Sequence, residues 1–349
     1  MKKCKGCGVS LQSIDKNAIG YCVNDAQDYC QRCFRLTHYD DVSNFSSSYV
    51  SNERILDIYK KYQNGLFVVI VDVIDALLLD KDDLLDIFKD YKTILIINKT
   101  DLLPTNISDS KIDNIFTKLL FNLNSKYPYI ISAILTNKFE DRFNETFFFI
   151  LDKQNISNII FAGRANAGKS SLINKILNNN DITTSIYPGT TLDEIEIDYQ
   201  NYIFIDTPGL VDVNNYSTHL SYEKYKLSKL EKTIKPQVFQ LFENQSYFYE
   251  GLLWIDVLCD NKCSISFYIN NNNEIHRTKY DNSINYYESH YKDFNLKVKP
   301  LVTSEYDVKN NEMFVIKGLG FFKVNGNCKI LIHSLKNVKL YSSSVEIWY

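Results

Sequence analysis

Gly163-Arg-Ala-Asn-Ala-Gly168-Lys169-Ser170 has the spacing of a loop that wraps phosphate groups. Two glycines frame four residues, and a lysine and a hydroxyl follow. Successive backbone N–H groups of Gly163, Arg164, Ala165, Asn166, Ala167 and Gly168 can face an anion, helped by a helix N-terminus. Gly168 lets the chain curl close to its ligand. Lys169 would reach the β- and γ-phosphates. Ser170 would ligate Mg²⁺, with Ser171 beside it in the first helical turn. A chance Gly/Lys turn is the alternative. The strand-like run Ile159–Ala162 before the loop and the helical segment Lys169–Leu177 after it argue against chance.

Four further groups narrow the nucleotide. Asp206-Thr-Pro-Gly209 follows the strand-like Tyr202–Ile205 and fits a γ-phosphate sensor, with Asp206 near Mg²⁺ and Gly209 donating its N–H. Asn98-Lys99-Thr100-Asp101 follows the run Thr93–Ile97. A carboxylate at Asp101 can accept from both N1–H and the exocyclic amine of guanine, a donor pair that adenine lacks. Ser132-Ala133, after a short strand Tyr129–Ile131, fits the backbone contact to guanine O6. Pro188-Gly-Thr190-Thr191 lies between the phosphate loop and Asp206. Its hydroxyl can close on Mg²⁺ and the γ-phosphate, and Thr191 is preferred over Thr190.

The order of these groups is unusual. Guanine-nucleotide domains ordinarily begin with the phosphate loop; here Asn98–Asp101 and Ser132-Ala133 precede it. The domain reads as circularly permuted, which closely spaced termini permit. Leu210 occupies the position where Ras-like enzymes carry a water-orienting Gln. Either GTP is bound without turnover, or another group assists. Asn166 suggests the second, since an asparagine there can help hold K⁺ beside the phosphates; holding the loop turn is its alternative role. Lys169, Thr191, Asn166 and Gly209 form the expected catalytic set. Arg164 could act as an arginine finger, but a loop arginine more often faces solvent.

Four of the eight cysteines form two pairs, Cys4-x-x-Cys7 and Cys30-x-x-Cys33, separated by 22 residues. Two such turns complete a tetrahedral thiolate site for structural Zn²⁺. A redox dithiol is the lesser alternative, since there are two pairs. Cys22 could substitute as a ligand, but it has no near partner and reads as a bystander; Cys259 and Cys263 read as small buried hydrophobes. Arg32, Arg35 and His38 beside the second pair could meet RNA phosphate, protein or solvent.

The surrounding chain must position these groups. At 349 residues, and roughly 100–200 residues per domain, two or three domains are expected. The divisions fall at 1–50, a four-cysteine module; 55–215, the nucleotide domain; and 217–349, a β-rich region. Leu66–Val71 and Thr93–Ile97 read as buried parallel strands. Lys81–Tyr91, Lys111–Leu123, Asp141–Leu151 and Tyr222–Lys232 read as helices. Ile195–Asp198 and Tyr202–Ile205 read as a strand pair. Further strands are expected at Gly251–Leu258, Ser264–Asn270, Lys297–Val302, Met313–Lys317, Phe321–Val324, Cys328–Ile332 and Val338–Tyr341, with a hairpin loop at Asn270–Asn273. The fold class is therefore α/β: a circularly permuted P-loop GTPase domain with a small N-terminal zinc-binding module and a β-rich (α+β) C-terminal domain.

Composition excludes collagen-like and disordered classes: 12 Gly, 6 Pro and 45% hydrophobic residues. The net charge of −3 gives no bulk attraction to nucleic acid. Residues 290–340, however, hold nine Lys against four Asp or Glu. No apolar run approaches the ~20 residues of a membrane span, and the opening MKKCKGCG has no apolar stretch. A cytoplasmic monomer with no membrane partner is expected.

Cys30-Gln-Arg-Cys-Phe-Arg35 with His38-Tyr39, ahead of the ordered series NKTD, SA, GRANAGKS, PGTT and DTPG, resembles the YqeH-type circularly permuted GTPases. The resemblance covers residues 1–212; beyond 217 it is positional. It implies GTP hydrolysis to GDP with Mg²⁺, a role in assembly of the small ribosomal subunit, and a C-terminal RNA-binding domain. Ribosomal RNA and the subunit or its precursor are then the partners. It implies Zn²⁺ on Cys4, Cys7, Cys30 and Cys33, K⁺ at Asn166, and Leu210 as the apolar replacement for the catalytic glutamine. A GTP-gated scaffold with little hydrolysis is the alternative, and K⁺-stimulated turnover would separate the two.

Overall fold

The computed structural model describes residues 2–24, 26–39, 50–105, 107–136, 143–178, 182, 190–220, 222–290, 301–309, 311–336, 338 and 340–343. The chain packs as two bodies. One takes residues 1–100 and 120–212, the other 101–119 and 213–349.

In chain order the first elements are α1 (Gln31–Tyr39), α2 (Asn52–Lys61), β1 (Leu66–Asp72), α3 (Val73–Ala76), β2 (Thr93–Asn98), α4 (Asp109–Lys126) and β3 (Ile130–Leu135). Then come α5 (Phe143–Asp152), β4 (Asn158–Gly163), α6 (Lys169–Leu177), β5 (Ile195–Tyr199) and β6 (Tyr202–Asp206). The six strands form one sheet in the order β3-β2-β1-β4-β6-β5. All neighbours are parallel except β5 and β6.

The unbroken apolar runs follow from burial on both faces. Leu66, Val68 and Ile70 of β1 join Phe161 of β4 in a core with Phe143, Phe147 and Leu151 of α5 and Leu172, Ile173 and Ile176 of α6. On the other face Phe67 meets Tyr59 of α2 at 5.4 Å and Phe88 at 5.8 Å between ring centroids. Register brings the C-terminal ends of β1, β2, β4 and β6 to one edge: Asp72 opposite Asn98, Ile70 opposite Gly163, Phe161 opposite Asp206. Ligands of open parallel sheets bind at that edge.

The helix expected over Lys81–Tyr91 does not form; the stretch makes turns and a short 3₁₀ segment, Leu85–Phe88. Asp82 bonds the Leu84 N–H (2.9 Å), and the backbone closes i+3 rather than i+4 turns. Leu84, Leu85 and Phe88 are still buried, so the apolar pattern reports packing rather than helix type. Residues 141 and 142 of the expected Asp141–Leu151 helix lie outside the described residues.

In the second body come α7 (Tyr222–Ser228), β7 (Gln237–Leu241), β8 (Gln245–Tyr249), β9 (Leu253–Leu258), β10 (Cys263–Ile269), β11 (Ile275–Lys279) and α8 (Ser283–His290). β12 (Leu301–Val308), β13 (Glu312–Ile316), β14 (Gly320–Asn325), β15 (Cys328–Leu335) and β16 (Leu340–Ser343) complete it. Two antiparallel sheets result, β16-β13-β14-β10-β7 and β11-β8-β9-β15-β12. The pairs Phe239–Tyr247 (5.0 Å) and Tyr306–Phe314 (5.1 Å) stitch one to the other.

Asn270–Asn273 is not a hairpin, because β10 and β11 belong to different sheets. Its asparagines bind backbone instead: Asn270 to Lys229 O, Asn271 to Lys235 O, Asn273 to Leu227 O. α7 is shorter than Tyr222–Lys232; the buried Ser228 hydroxyl folds back on Tyr225 O (3.1 Å) at its end. Most of the Lys297–Val302 stretch lies outside the described residues, and its strand begins at Leu301. No helix among the described residues is long and apolar enough to cross a membrane.

Candidate functional site

The phosphate-loop segment joins β4 to α6 under tight steric control. Gly163 has φ +135°, and a Cβ there would stand 2.3 Å from Ile70 O. Gly168 has φ +98°, and its Cβ would stand 2.4 Å from Asn98 Nδ2. Asn166 is left-handed too, at φ +64°. Gly163→Ala should therefore destabilise the protein by about 1–3 kcal/mol or more, from strain and clash together. Urea denaturation measures it, and an unchanged midpoint would contradict the geometry.

Lys169 is buried, and its ammonium donates to Arg164 O at 3.0 Å and Gly163 O at 3.4 Å. Burial pushes its pKa down to about 8, against the opposing pull of Asp206. Ser170, Thr191 and Asp206 converge on one another. Asp206 Oδ2 accepts from the Ser170 hydroxyl at 2.8 Å and the Thr191 hydroxyl at 3.0 Å, and the two hydroxyls are 3.4 Å apart. Asp206 is fully buried, its carboxyl raised by desolvation, and its Oδ1 has no hydrogen-bond partner. An orphaned buried carboxylate oxygen beside two hydroxyls is a donor set that fits Mg²⁺. Pro188 and Gly189 lie outside the described residues.

The segment after Asp206 lies on the phosphate loop. A Cβ on Gly209 would stand 2.5 Å from Ala165 Cα and 3.0 Å from Lys169 Nζ. Leu210 is buried and pairs with the loop backbone. Its N–H donates to Gly163 O and its carbonyl accepts from the Ala165 N–H, both at 3.0 Å. Asn52 of α2 holds the next residue, Val211, by both N–H and C=O. Arg164 does not face solvent. Its guanidinium is clamped between Asp82 and Asp212, with Asp83 3.3 Å away. Sequence spacing gave no sign of these two buried acids, which come from separate segments.

Asn98 and Lys99 brace the loop from β2. Asn98 Nδ2 donates to Ala167 O at 3.1 Å, and Lys99 Nζ to Asn166 O at 2.5 Å. Thr100 follows, then Asp101, whose carbonyl accepts from the Thr233 hydroxyl (2.9 Å) within the second body. Ser132 and Ala133 do not follow a strand. They lie inside β3, opposite Ile94 and Leu95, because the strand runs on to Leu135; its register shifts between Thr93 and Ile94. Thr136 stands at the strand end instead. Its N–H donates to Ile97 O (2.9 Å), its carbonyl accepts from the Thr100 N–H (3.2 Å), and its hydroxyl oxygen is buried without a partner. No motif marked Thr136.

Downstream of Thr191, burial would raise the Glu194 carboxyl, but bonding to Asp193 and to Lys61 (2.7 Å) outweighs it and holds the pKa at about 2. A lowered carboxyl stabilises the fold above its ordinary value near 4.5, and that share is lost as pH falls toward 2. Lys61 is half exposed, so the share is below about 1 kcal/mol. Lys61→Ala should move the Glu194 carboxyl titration upward, read by carbon NMR; an unmoved midpoint would remove Lys61 as its cause.

Cys4, Cys7, Cys30 and Cys33 are all buried, with their sulfurs within 4.8 Å of one another. Tetrahedral Zn–S bonds of about 2.3 Å place sulfurs ~3.8 Å apart, and Cys7 and Cys30 stand at 3.8 Å. Hydrogen bonds among the thiols push Cys7 and Cys33 up and pull Cys4 and Cys30 down. The Cys30 N–H donates to Cys4 Sγ at 3.2 Å, as at a thiolate knuckle. Four crowded soft donors fit Zn²⁺. Cys22 is outside the quartet, its thiol on Gln12 O at 3.6 Å.

A profile of the family described as "50S ribosome-binding GTPase" matches residues 158–246. YqeH of Bacillus subtilis is 28% identical over 360 positions, covering 97% of each chain. GTPase Der of Buchnera aphidicola (subsp. Schizaphis graminum) is 30% identical over 252 residues, 66% of this chain and 51% of that protein. GTPase Der of Legionella pneumophila (strain Corby) is 31% identical over 148 residues, 41% of this chain and 31% of its own.

Proposed function

We propose that this chain, a GTPase of the YqeH type by a likeness running almost end to end, serves in assembly of the small ribosomal subunit. The observation that carries the nucleotide chemistry is the convergence of Ser170, Thr191 and Asp206 beside Lys169. Bound Mg²⁺ would supply positive charge to the β- and γ-phosphates. Lys169 would add its own charge, and the Gly209 N–H would meet the γ-phosphate. Asp101 would select guanine. The sheet order supports a circularly permuted domain, since the strand bearing Asn98 and the strand bearing Gly163 flank β1 although the motif order is reversed.

The working divisions are the zinc module 1–50, the nucleotide domain 55–215 and a ribosome- or RNA-contacting region 217–349, in a cytoplasmic monomer. Leu210 cannot polarise water. K⁺ held with the help of Asn166 would supply the missing charge, alongside the turn-holding role its left-handed backbone already supports. The resemblance points to the small subunit, whereas the matching family's description names 50S.

GTP hydrolysis in KCl and NaCl, alone and with small or large ribosomal subunits, tests the whole reading. Turnover that needs K⁺ and rises with small subunits is expected. Activation by large subunits alone would replace the proposed partner. GTP binding with no turnover in any arm favours the scaffold, with Leu210 as the reason.

A further inference from the structure

The four-cysteine module grips the chain on both sides of Thr191. The N–H groups of Leu192 and Asp193 both donate to the Cys7 carbonyl, at 2.9 and 3.0 Å. Arg32, in the first turn of α1, donates from Nη1 to Thr190 O at 3.2 Å. The Leu192 side chain packs on the cysteine cluster. Gly8 backs onto Asp193 so closely that a Cβ would stand 2.5 Å from its carbonyl oxygen, and φ at Gly8 is +82°. Lys3 reaches Glu194 O at 3.5 Å. Between these holds, Thr191 is buried with its hydroxyl on Asp206.

We propose that the module positions Thr191 for the Mg²⁺-dependent reaction, with Arg32 and the Cys7 carbonyl as positioning groups. This rests on Ser170, Thr191 and Asp206 forming the Mg²⁺ site. A threonine on an unsupported loop reaches such a site only by ordering its backbone, which costs conformational entropy each time. Residues 190, 192 and 193 are instead held by the four-cysteine module. Cys7 contributes twice, since its sulfur faces the thiol cluster while its carbonyl faces the Thr191 segment. Coupling of this kind is reciprocal: what fixes Thr191 at the nucleotide should also steady the module.

Arg32→Ala should keep its zinc, lower kcat about tenfold for loss of one charge-assisted hydrogen bond, and leave KM nearly unchanged. Arg32→Lys, which keeps a cation within reach, should recover part of the loss. Hydrogen exchange at the Leu192 and Asp193 amides should quicken in Arg32→Ala and, in the parent, on metal removal by a chelator. Zinc should leave more slowly with a non-hydrolysable GTP analogue than with GDP. A zinc-loaded Arg32→Ala protein with parental kcat and parental exchange would overturn the proposal. Should that variant fail to hold zinc, parental exchange that ignores chelation would overturn it equally. A parent that never hydrolyses GTP would defeat the functional reading alone, because exchange and zinc release still decide whether the module holds this segment.

Discussion

Lys169→Met will abolish GTP turnover while leaving the nucleotide-free protein at least as stable as the parent. The two effects have opposite signs because one buried charge causes both. Burial holds the Lys169 pKa at about 8, against an ordinary 10.5. For a lysine pushed down in the fold, the penalty is absent above its unfolded value, grows as pH falls toward 8, and is complete below that. At pH 7 it is on the order of 3 kcal/mol. Methionine keeps the apolar stem and removes the charge. It forfeits the bonds to Gly163 O and Arg164 O, which return about 1–2 kcal/mol of the gain. Turnover should fall by at least ~10²–10³, the usual scale for losing one preorganised electrostatic partner of a transition state. Denaturation and single-turnover hydrolysis measure the two halves. Activity within tenfold of the parent would remove Lys169 from the chemistry, and clear destabilisation would refute the burial argument.

Stripping metal from the four-thiol turn, or Cys33→Ser, will unfold residues 2–39 as a unit. The core of this module is its cysteines with Leu11, helped by Val9, Tyr29 and Leu192. So little apolar surface cannot offset the ordering entropy of its chain. Structural zinc contributes about 10–16 kcal/mol in comparable small folds, far more than the module's other contacts. Limited proteolysis with and without chelator should show cuts confined to the first 39 residues, while the six-stranded sheet, whose core lies elsewhere, resists. Equal resistance in both samples would mean that packing alone holds the module.

The features legible in the sequence are those fixed by local rules. The runs Leu66–Val71 and Thr93–Ile97 are almost wholly apolar because both faces are covered, and they lie within β1 and β2. The cysteine pairs and the glycine-framed loop carry their spacing within a few residues, and the structure places each set together. What escaped depends on distant partners. The Arg164 clamp unites residues 82, 164 and 212, which no window spans. Ser132 and Ala133 read as following a strand, but β3 runs on to Leu135 and takes them in, with Thr136 just past its end. α2 carries a Ser51 cap and a clear apolar face of Ile55, Ile58 and Tyr59, but it is short and mostly charged or polar, and it is not among the expected helices. β7, β8 and β11 mix Gln, Ser, Arg and Lys with aromatics. Their polar residues pair across strands, and alternation alone does not mark them.

The pairing of Leu210 with the phosphate loop would set the protein against a ligand seated there. The Ala165 N–H belongs to the loop that would cradle phosphate, yet it donates to the Leu210 carbonyl. One proton donor cannot serve two acceptors at full strength. An anion seated at Ala165 must take that donor from Leu210, and Leu210 is joined directly to Asp206–Gly209. A phosphate that took this donor would exchange places with the Leu210 carbonyl, which belongs to the segment running straight on from Asp206–Gly209.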